Sequence, residues 1–229
     1  MLVEIVFLPI NDDPLTGEEL ELFQFVSLEK QKKLLRYRHY IDKKLSLYAD
    51  LLVRYLACKH LGLTNDALVF SQTNNGKPYL LGGYLFAFNL SHTRNAIAVA
   101  IAKRNVGVDI EKVVNNTNHI DRCKICKEFF TTDEQNYVIS EAEGRDWRFY
   151  EIWTRKEAYL KWKGEGFSLQ VNNFSTLHTG QGVQINAIPV GEYIITVCTE
   201  IIIQRYCLYC WTETTAKQRF LNTLSHNAN

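Results

Sequence analysis

The stretch FYEIWTRKEAYLKWKGEG, Phe149 to Gly166, has the period of an amphipathic helix and the ending of one. Phe149, Ile152, Trp153, Tyr159 and Leu160 fall on one face at 3.6 residues per turn. Gly164 and Gly166 supply the stop. Lys156 lies inside the apolar stripe, and Glu157 and Lys161, one turn apart, run along its edge. A charge so near a buried face is costly unless it meets a partner. The plainest reading is a core helix with an i,i+4 ion pair and a snorkelling lysine. The other is that this edge carries chemistry, and upstream residues bear on the choice.

The chain has 229 residues, 46% of them hydrophobic and 22% charged, enough for a real core in one large domain or two small ones. Net charge is +1, so the chain as a whole is no electrostatic nucleic-acid binder, and any basic site must be local. MLVEIVFLPI, at the start, lacks a basic region, contains Glu4 and is too short to span a bilayer. It reads as a first strand, and no other stretch is apolar enough to cross a membrane, so a cytoplasmic protein is expected. Two C-x-x-C spacings occur, Cys123/Cys126 and Cys207/Cys210. The second pair lies in a strand pattern, where i and i+3 point to opposite faces. Buried free thiols in a reducing compartment fit better than structural zinc.

Thr16 and Glu19 fit a capping box, and Ser27 an N-cap. From Lys30 to Lys44 the chain is basic, with Lys30, Lys32, Lys33, Arg36, Arg38, His39, Lys43 and Lys44 against only Asp42. This is either a solvated helix face or a local patch for a polyanion, a phosphorylated ligand or an acidic partner. Leu45 to Leu61 is a clear amphipathic helix, with Leu45, Tyr48, Leu52, Tyr55 and Leu56 inward and Gly62 as its stop. Laid over the later helix, Leu51 falls on Trp153, Lys59 on Lys161 and Gly62 on Gly164, a faint sign of two similar halves. Asn74-Asn75-Gly76 makes a turn, and Pro78 holds Lys77 extended. Phe86–Leu90, Ala96–Ala102 and Val106–Val114 read as strands. In the last, Asp109 and Glu111 share a face while Val106, Val108 and Ile110 take the other. Two carboxylates on one face repel unless a cation or proton lies between them, and a hard divalent ion such as magnesium would resolve this. A strand end with its acids in water is the alternative. Helices are expected over Ile120–Phe130 and from Thr131 to about Glu141. Strands follow at Val183–Ile188, Tyr193–Thr199 and Tyr206–Trp211, then a helical tail from Thr215.

Three elements in order are Phe88-Asn89-Leu90-Ser91-His92, Gly107-Val108-Asp109-Ile110-Glu111, and Trp153-Thr154-Arg155-Lys156-Glu157-Ala158 with Lys161 and Gly164. Their order and separations resemble the 4′-phosphopantetheinyl transferases of the surfactin-synthetase-activating type. Gly76-Lys77-Pro78 and the basic segment from Ser27 to Arg54 are similar to that family as well. The resemblance runs from about residue 20 to about residue 211. It implies an α+β fold made of a pseudo-twofold pair of halves, 1–104 and 105–229. Each half would be a small antiparallel sheet on a long helix, with the active site at their interface. It implies that coenzyme A gives its phosphopantetheine arm to a serine of an apo acyl or peptidyl carrier protein, releasing 3′,5′-ADP. By the same resemblance, Asp109, Glu111 and Glu157 would hold magnesium, with manganese as an alternative, and Lys161 would meet a phosphate oxygen. His92, with Ser91 nearby, would bind the 3′-phosphate. Lys77, with the Gly76 backbone and Pro78, would lie at the adenine and 3′-phosphate end, and Lys30 and Lys33 would contact phosphates, with Lys44 as a further candidate. The general base is open between Glu157 and a water on the Asp109 side. The carrier would dock against Asn115–Phe130 and the basic surface, with Phe129 and Phe130 either anchoring it or closing a helix into the core. A monomer is expected, and no nucleic acid or membrane partner.

Two rivals stand beside this reading. Another magnesium-dependent phosphate-handling enzyme would use the same carboxylates, but the chain has no P-loop and no G-x-G-x-x-G. A non-catalytic carrier-binding or coenzyme A-binding module would tolerate loss of a carboxylate or of Lys161, and all are present.

Overall fold

A computed structural model describes residues 2–114, 119–164, 166, 171–178, 180, 182–200 and 205–225. Strand β1 is Leu2–Pro9, followed by helices α1 (Gly17–Glu21), α2 (Leu28–Arg36) and α3 (Tyr40–Leu61). A short hairpin, β2 (Phe70–Gln72) and β3 (Pro78–Leu80), leads to β4 (Ala87–Thr93), β5 (Ala96–Ala102) and β6 (Val106–Lys112). Helices α4 (His119–Phe129), α5 (Thr132–Ile139) and α6 (Arg145–Lys163) come next, then β7 (Gln184–Val190), β8 (Tyr193–Thr199), β9 (Arg205–Cys210) and α7 (Glu213–Leu224).

The architecture is α+β with paired halves. One sheet runs β4-β5-β1-β9 and the other β6-β8-β7, wholly antiparallel. The alternation within β5 explains how they stack. Ile97, Val99 and Ile101 join a core with Val6 and Leu8 of β1 and Leu45, Tyr48, Leu52 and Leu56 of α3. Ala96, Ala98, Ala100 and Ala102 instead meet Val106, Val108 and Ile110 of β6 and Ile195 and Val197 of β8. Small alanines on that face let the two sheets approach. Helix α3 covers the outside of the first sheet and α6 the outside of the second. A strand buried on both faces reads as a continuous apolar run, which is why AIAVAIA shows no polar alternation.

Both long helices stop at a left-handed glycine, Gly62 with φ of 66° and Gly164 with φ of 74°. Their shared ending bears on the faint sequence repeat. The first half departs from a three-stranded antiparallel sheet in one respect. Strand β9 returns from the far end of the chain and pairs parallel with β1, Val3 opposite Tyr206 and Phe7 opposite Cys210. Helix α7 follows it onto α3, where Phe220 and Leu224 are buried. The β2–β3 hairpin, too short to show a period, brackets the Asn-Asn-Gly turn read from sequence.

Inside the stripe of α6, Lys156 is 1% exposed and does not snorkel. Its ammonium meets Glu134 Oε2 at 2.8 Å and donates to the carbonyls of Val171 and Phe174, each at 2.8 Å. Glu134 caps α5 through the Thr131 amide, and its Oε1 accepts from the amide and hydroxyl of Thr176. Phe130 is 2% exposed and belongs to the core under α6, while Phe129 stacks edge-on against Trp153. Asn115–Asn118 of the proposed docking segment lie outside the described residues. Among the described residues all six cysteines are free thiols, but only Cys58 and Cys198 are buried, so the C-x-x-C cysteines are not the buried thiols expected, and no helix is long and apolar enough to cross a membrane.

Candidate active site

Strand β6 turns Val106, Val108 and Ile110 toward the first sheet, and so turns Gly107, Asp109 and Glu111 toward α6. The glycine sets how close the helix comes. A Cβ at Gly107 would lie 2.1 Å from the Ala158 carbonyl oxygen and 2.4 Å from the Trp162 nitrogen. With no side chain there, the last turns of α6 rest on the strand, which brings Lys161 onto Asp109. Lys161 Nζ lies 2.6 Å from Asp109 Oδ1 and 2.8 Å from Ser91 Oγ. Ser91 also donates to Asp109 Oδ1 at 2.8 Å.

The edge strand of the first sheet is stitched to β6 by side chains. Asn89 Oδ1 accepts from the Val108 amide at 2.8 Å, and Thr93 Oγ1 donates to Glu111 Oε2 at 2.9 Å. Asn89, Ser91 and Thr93 thus hold the strand that bears both acids. The family resemblance gave no role to Asn89 or Thr93. Their i, i+2, i+4 spacing facing a paired-acid strand was the available signal.

The electrostatics of the three acids are strained. Burial, and then the charge of Asp109, push Glu111 up to about 7. Burial and Asp109 also raise Glu157. Asp109 is 4% exposed, and its Oδ2 is buried with no hydrogen-bond partner. A buried carboxylate oxygen without a donor costs free energy until something positive reaches it. By donor type, three carboxylates, one with an orphaned oxygen, are the hard ligands that a magnesium-like cation takes. In the present arrangement Lys161 holds Asp109 Oδ1. Among the described residues no group of three His, Cys, Asp or Glu side chains is placed so that it could hold a metal ion as it stands.

Two clefts that share Pro78 and Leu90 lie beside the acids, and Glu157 and Lys161 line one of them. One, of about 290 Å³, lies against Gly76, Lys77, Asn89, Glu157 and Lys161. The other, of about 480 Å³, is walled by Lys30, Lys33, Arg54, Phe70 and Phe88. Together they suit a ligand of dinucleotide size with charge along its length. Asp50 pairs with Arg54 at 2.6 Å and with Lys30 at 3.7 Å. Burial outweighs the pairing with Asp50 and lowers Lys30, with Lys33 adding to the effect. His92 is exposed as a residue, yet crowding of its ring by protein, and then the charge of Lys161, hold the imidazole below its usual value. Arg54, over the Phe70 ring at 5.2 Å, is a further cation of the cleft, at the end of the basic segment, to which no role had been given.

Two predicted positions are not free for a ligand. Lys44 is 1% exposed and pairs with Glu213 at 2.9 Å and Glu19 at 3.3 Å, with Asn11 as a third partner. It faces the core beneath α7 rather than the cleft, because the acids that claim it come from α1 and α7. The ammonium of Lys77 is directed to Asn105 and to the carbonyls of Val106 and Trp162, although Gly76 and Pro78 do line the cleft.

Known proteins resemble this chain over most of its length. Residues 105–210 match the model of the 4′-phosphopantetheinyl transferase superfamily, and residues 13–104 match that of the 4′-phosphopantetheinyl transferase N-terminal region. A 4′-phosphopantetheinyl transferase of Bacillus subtilis is 36% identical over 185 residues, 79% of this chain and 80% of the relative. This chain belongs to the 4′-phosphopantetheinyl transferase family. The 4′-phosphopantetheinyl transferase Sfp of Bacillus subtilis (strain 168) is 34% identical over 76% of this chain and 77% of its own. The 4′-phosphopantetheinyl transferase psf-1 of Bacillus pumilus is 30% identical over 80% and 77%. The chain is therefore a transferase enzyme of the surfactin-synthetase-activating type, with coenzyme A and a carrier protein as its partners.

Proposed function

We propose that the joined cleft binds coenzyme A with its 3′-phosphate end toward Lys30, Lys33 and His92. The pyrophosphate then lies at Asp109, Glu111, Glu157 and Lys161. The observation that supports this most is the orphaned Asp109 Oδ2 beside two carboxylates pushed upward, next to the cleft that Glu157 and Lys161 line. Asp109, Glu111 and Glu157 would hold magnesium or manganese, which when bound would neutralise the pyrophosphate and polarise its phosphorus.

The chain's own residues do the rest. Lys161 moves its ammonium from Asp109 to a phosphate oxygen, and so follows the charge that develops on the leaving group. Gly76, Pro78 and Leu90 floor the cleft and fix the ligand between the halves. The carrier's serine hydroxyl attacks the phosphorus that bears the pantetheine arm. One P–O bond forms to the serine, the phosphoanhydride bond breaks, and 3′,5′-ADP leaves with the electron pair. Glu157, its carboxyl raised by burial, is suited to take the serine proton. The two halves, divided near residue 104, build the cleft within one chain, which supports a monomer, and the cytoplasm is the compartment proposed for it.

A direct test compares coenzyme A with dephospho-coenzyme A in wild type and His92→Ala. The reading expects KM for coenzyme A to rise while that for dephospho-coenzyme A barely changes. Equal effects on both would remove the 3′-phosphate role of His92.

A further inference from the structure

We propose that Lys77 is not a phosphate-binding cation but a positioning residue that locks the cofactor-lining hairpin of the first half to the end of α6. The proposal rests on the function proposed above. A lysine ammonium has three donors, and here all three are engaged. Nζ lies 2.6 Å from Asn105 Oδ1, 3.2 Å from the Val106 carbonyl oxygen and 3.1 Å from the Trp162 carbonyl oxygen. Trp162 is in the last turn of α6, where unsatisfied carbonyls and the negative end of the helix dipole favour a cation. To reach a phosphate, Lys77 would have to abandon all three acceptors.

Its neighbours make the same connection. Asn75 Nδ2 donates to the Gly164 carbonyl at 2.9 Å, and Asn105 Nδ2 donates to the Trp162 carbonyl. A Cβ built on Gly164 would lie 3.4 Å from Lys77 Cδ, so the capping glycine and the lysine stem are in near contact. The turn itself is rigid. Thr73 and Lys77 exchange backbone and hydroxyl hydrogen bonds, and Gly76 takes φ of 80°. This turn therefore hands its position directly to the last turn of α6. Lys161 lies in that turn, and Glu157 sits one turn before it. The clasp sets the distance between the residues that line the cofactor cleft and those that act on the pyrophosphate. A misplacement of about 1 Å at such a site costs roughly a hundredfold in rate.

The test is Lys77→Met beside the double variant Asn75→Ala/Asn105→Ala, which disrupts the clasp while keeping the cation. Steady-state rates are taken with both coenzyme A and dephospho-coenzyme A on an apo carrier protein, and cofactor affinity by calorimetry. The proposal expects kcat to fall ten- to a hundredfold in both variants, with coenzyme A affinity changed less than about threefold. The preference for coenzyme A over dephospho-coenzyme A should stay at its wild-type value. If Lys77→Met abolishes that preference while the double variant keeps full kcat, the lysine is a phosphate ligand and the proposal is wrong. Unchanged kcat in both folded variants also overturns it. Absence of any transfer by the wild-type enzyme would count against the proposed function instead, so the two failures are distinguishable. Circular dichroism melts identify variants that fail to fold. In that case Lys77→Arg replaces Lys77→Met and must show the same unaltered preference with a lowered kcat.

Discussion

Asp109 Oδ2 is a buried oxygen with no partner, a condition that among the described residues only the Trp162 indole nitrogen shares. Replacing Asp109 by Asn keeps the shape and removes the charge that a cation would need. Transfer should fall by roughly 10²–10³-fold, with the fold intact by circular dichroism. A folded Asp109→Asn enzyme of wild-type rate would show that the carboxylate holds nothing essential. Far from the cleft, Glu19 shows the opposite balance. Burial pushes its carboxyl up, but the Thr16 amide, the Tyr48 hydroxyl and Lys44 together pull it below its ordinary 4.5. A depressed carboxyl adds stability that is present above 4.5 and is lost as pH falls below it. Thermal melts should show wild type losing more stability between pH 5 and pH 3 than Glu19→Gln does. Parallel losses would deny Glu19 that role. These two sites also mark what was legible residue by residue. Asp109 and Glu111 could be read because strand geometry alone puts i and i+2 on one face. Lys44 could not, because its acids lie on α1 and α7 and nothing local in a basic run announces them.

At the scale of elements, α6 and β6 fit each other through one missing side chain. Gly107→Ala would drive a methyl carbon into the backbone of Ala158 and Trp162. Backbone cannot rotate aside as a side chain can, so about 3 kcal/mol of stability should be lost, the upper part of the usual overpacking range. Activity should fall further than stability, since Glu157 and Lys161 move with the helix. Denaturant melts paired with rates would check this, and a wild-type rate would contradict it. Lys156 offers the complementary case. Lys156→Met leaves Glu134 buried and unpaired, at a cost of about 3–5 kcal/mol, and Lys156→Met/Glu134→Gln should recover part of it. Loss without any recovery in the double variant would assign the effect to packing alone. The helix was legible from its period and its glycine stop. The purpose of the lysine within its stripe was not, because Glu134 and the carbonyls of Val171 and Phe174 come from segments with no periodic signal. The short β2–β3 hairpin escaped for a similar reason, since three residues cannot display a period of two.

For the molecule as a whole, the sequence suggested two similar halves in succession, and the structure adds a return. The tail from Arg205 closes the first sheet along β1 and covers α3 with Phe220 and Leu224. Ending the chain at Glu200 would bare the β1 edge and an apolar helix face, an aggregation template. Such a truncation should give insoluble or molten protein by gel filtration and near-ultraviolet dichroism. A compact, soluble product would show the return to be dispensable. Parallel pairing between distant strands leaves no local mark, which is why this closure could not be read in advance. The folded whole moves phosphopantetheine from coenzyme A to a carrier serine, and we propose that it does so at a cation-dependent site. Intact-mass spectrometry of an apo carrier protein, incubated with this enzyme, coenzyme A and magnesium, tests it most directly. The expected result is a mass gain of one phosphopantetheine, abolished by a chelator and restored by excess magnesium. An equal gain in the presence of chelator would contradict the cation site. No gain on any acyl or peptidyl carrier, with coenzyme A bound, would contradict the transferase itself.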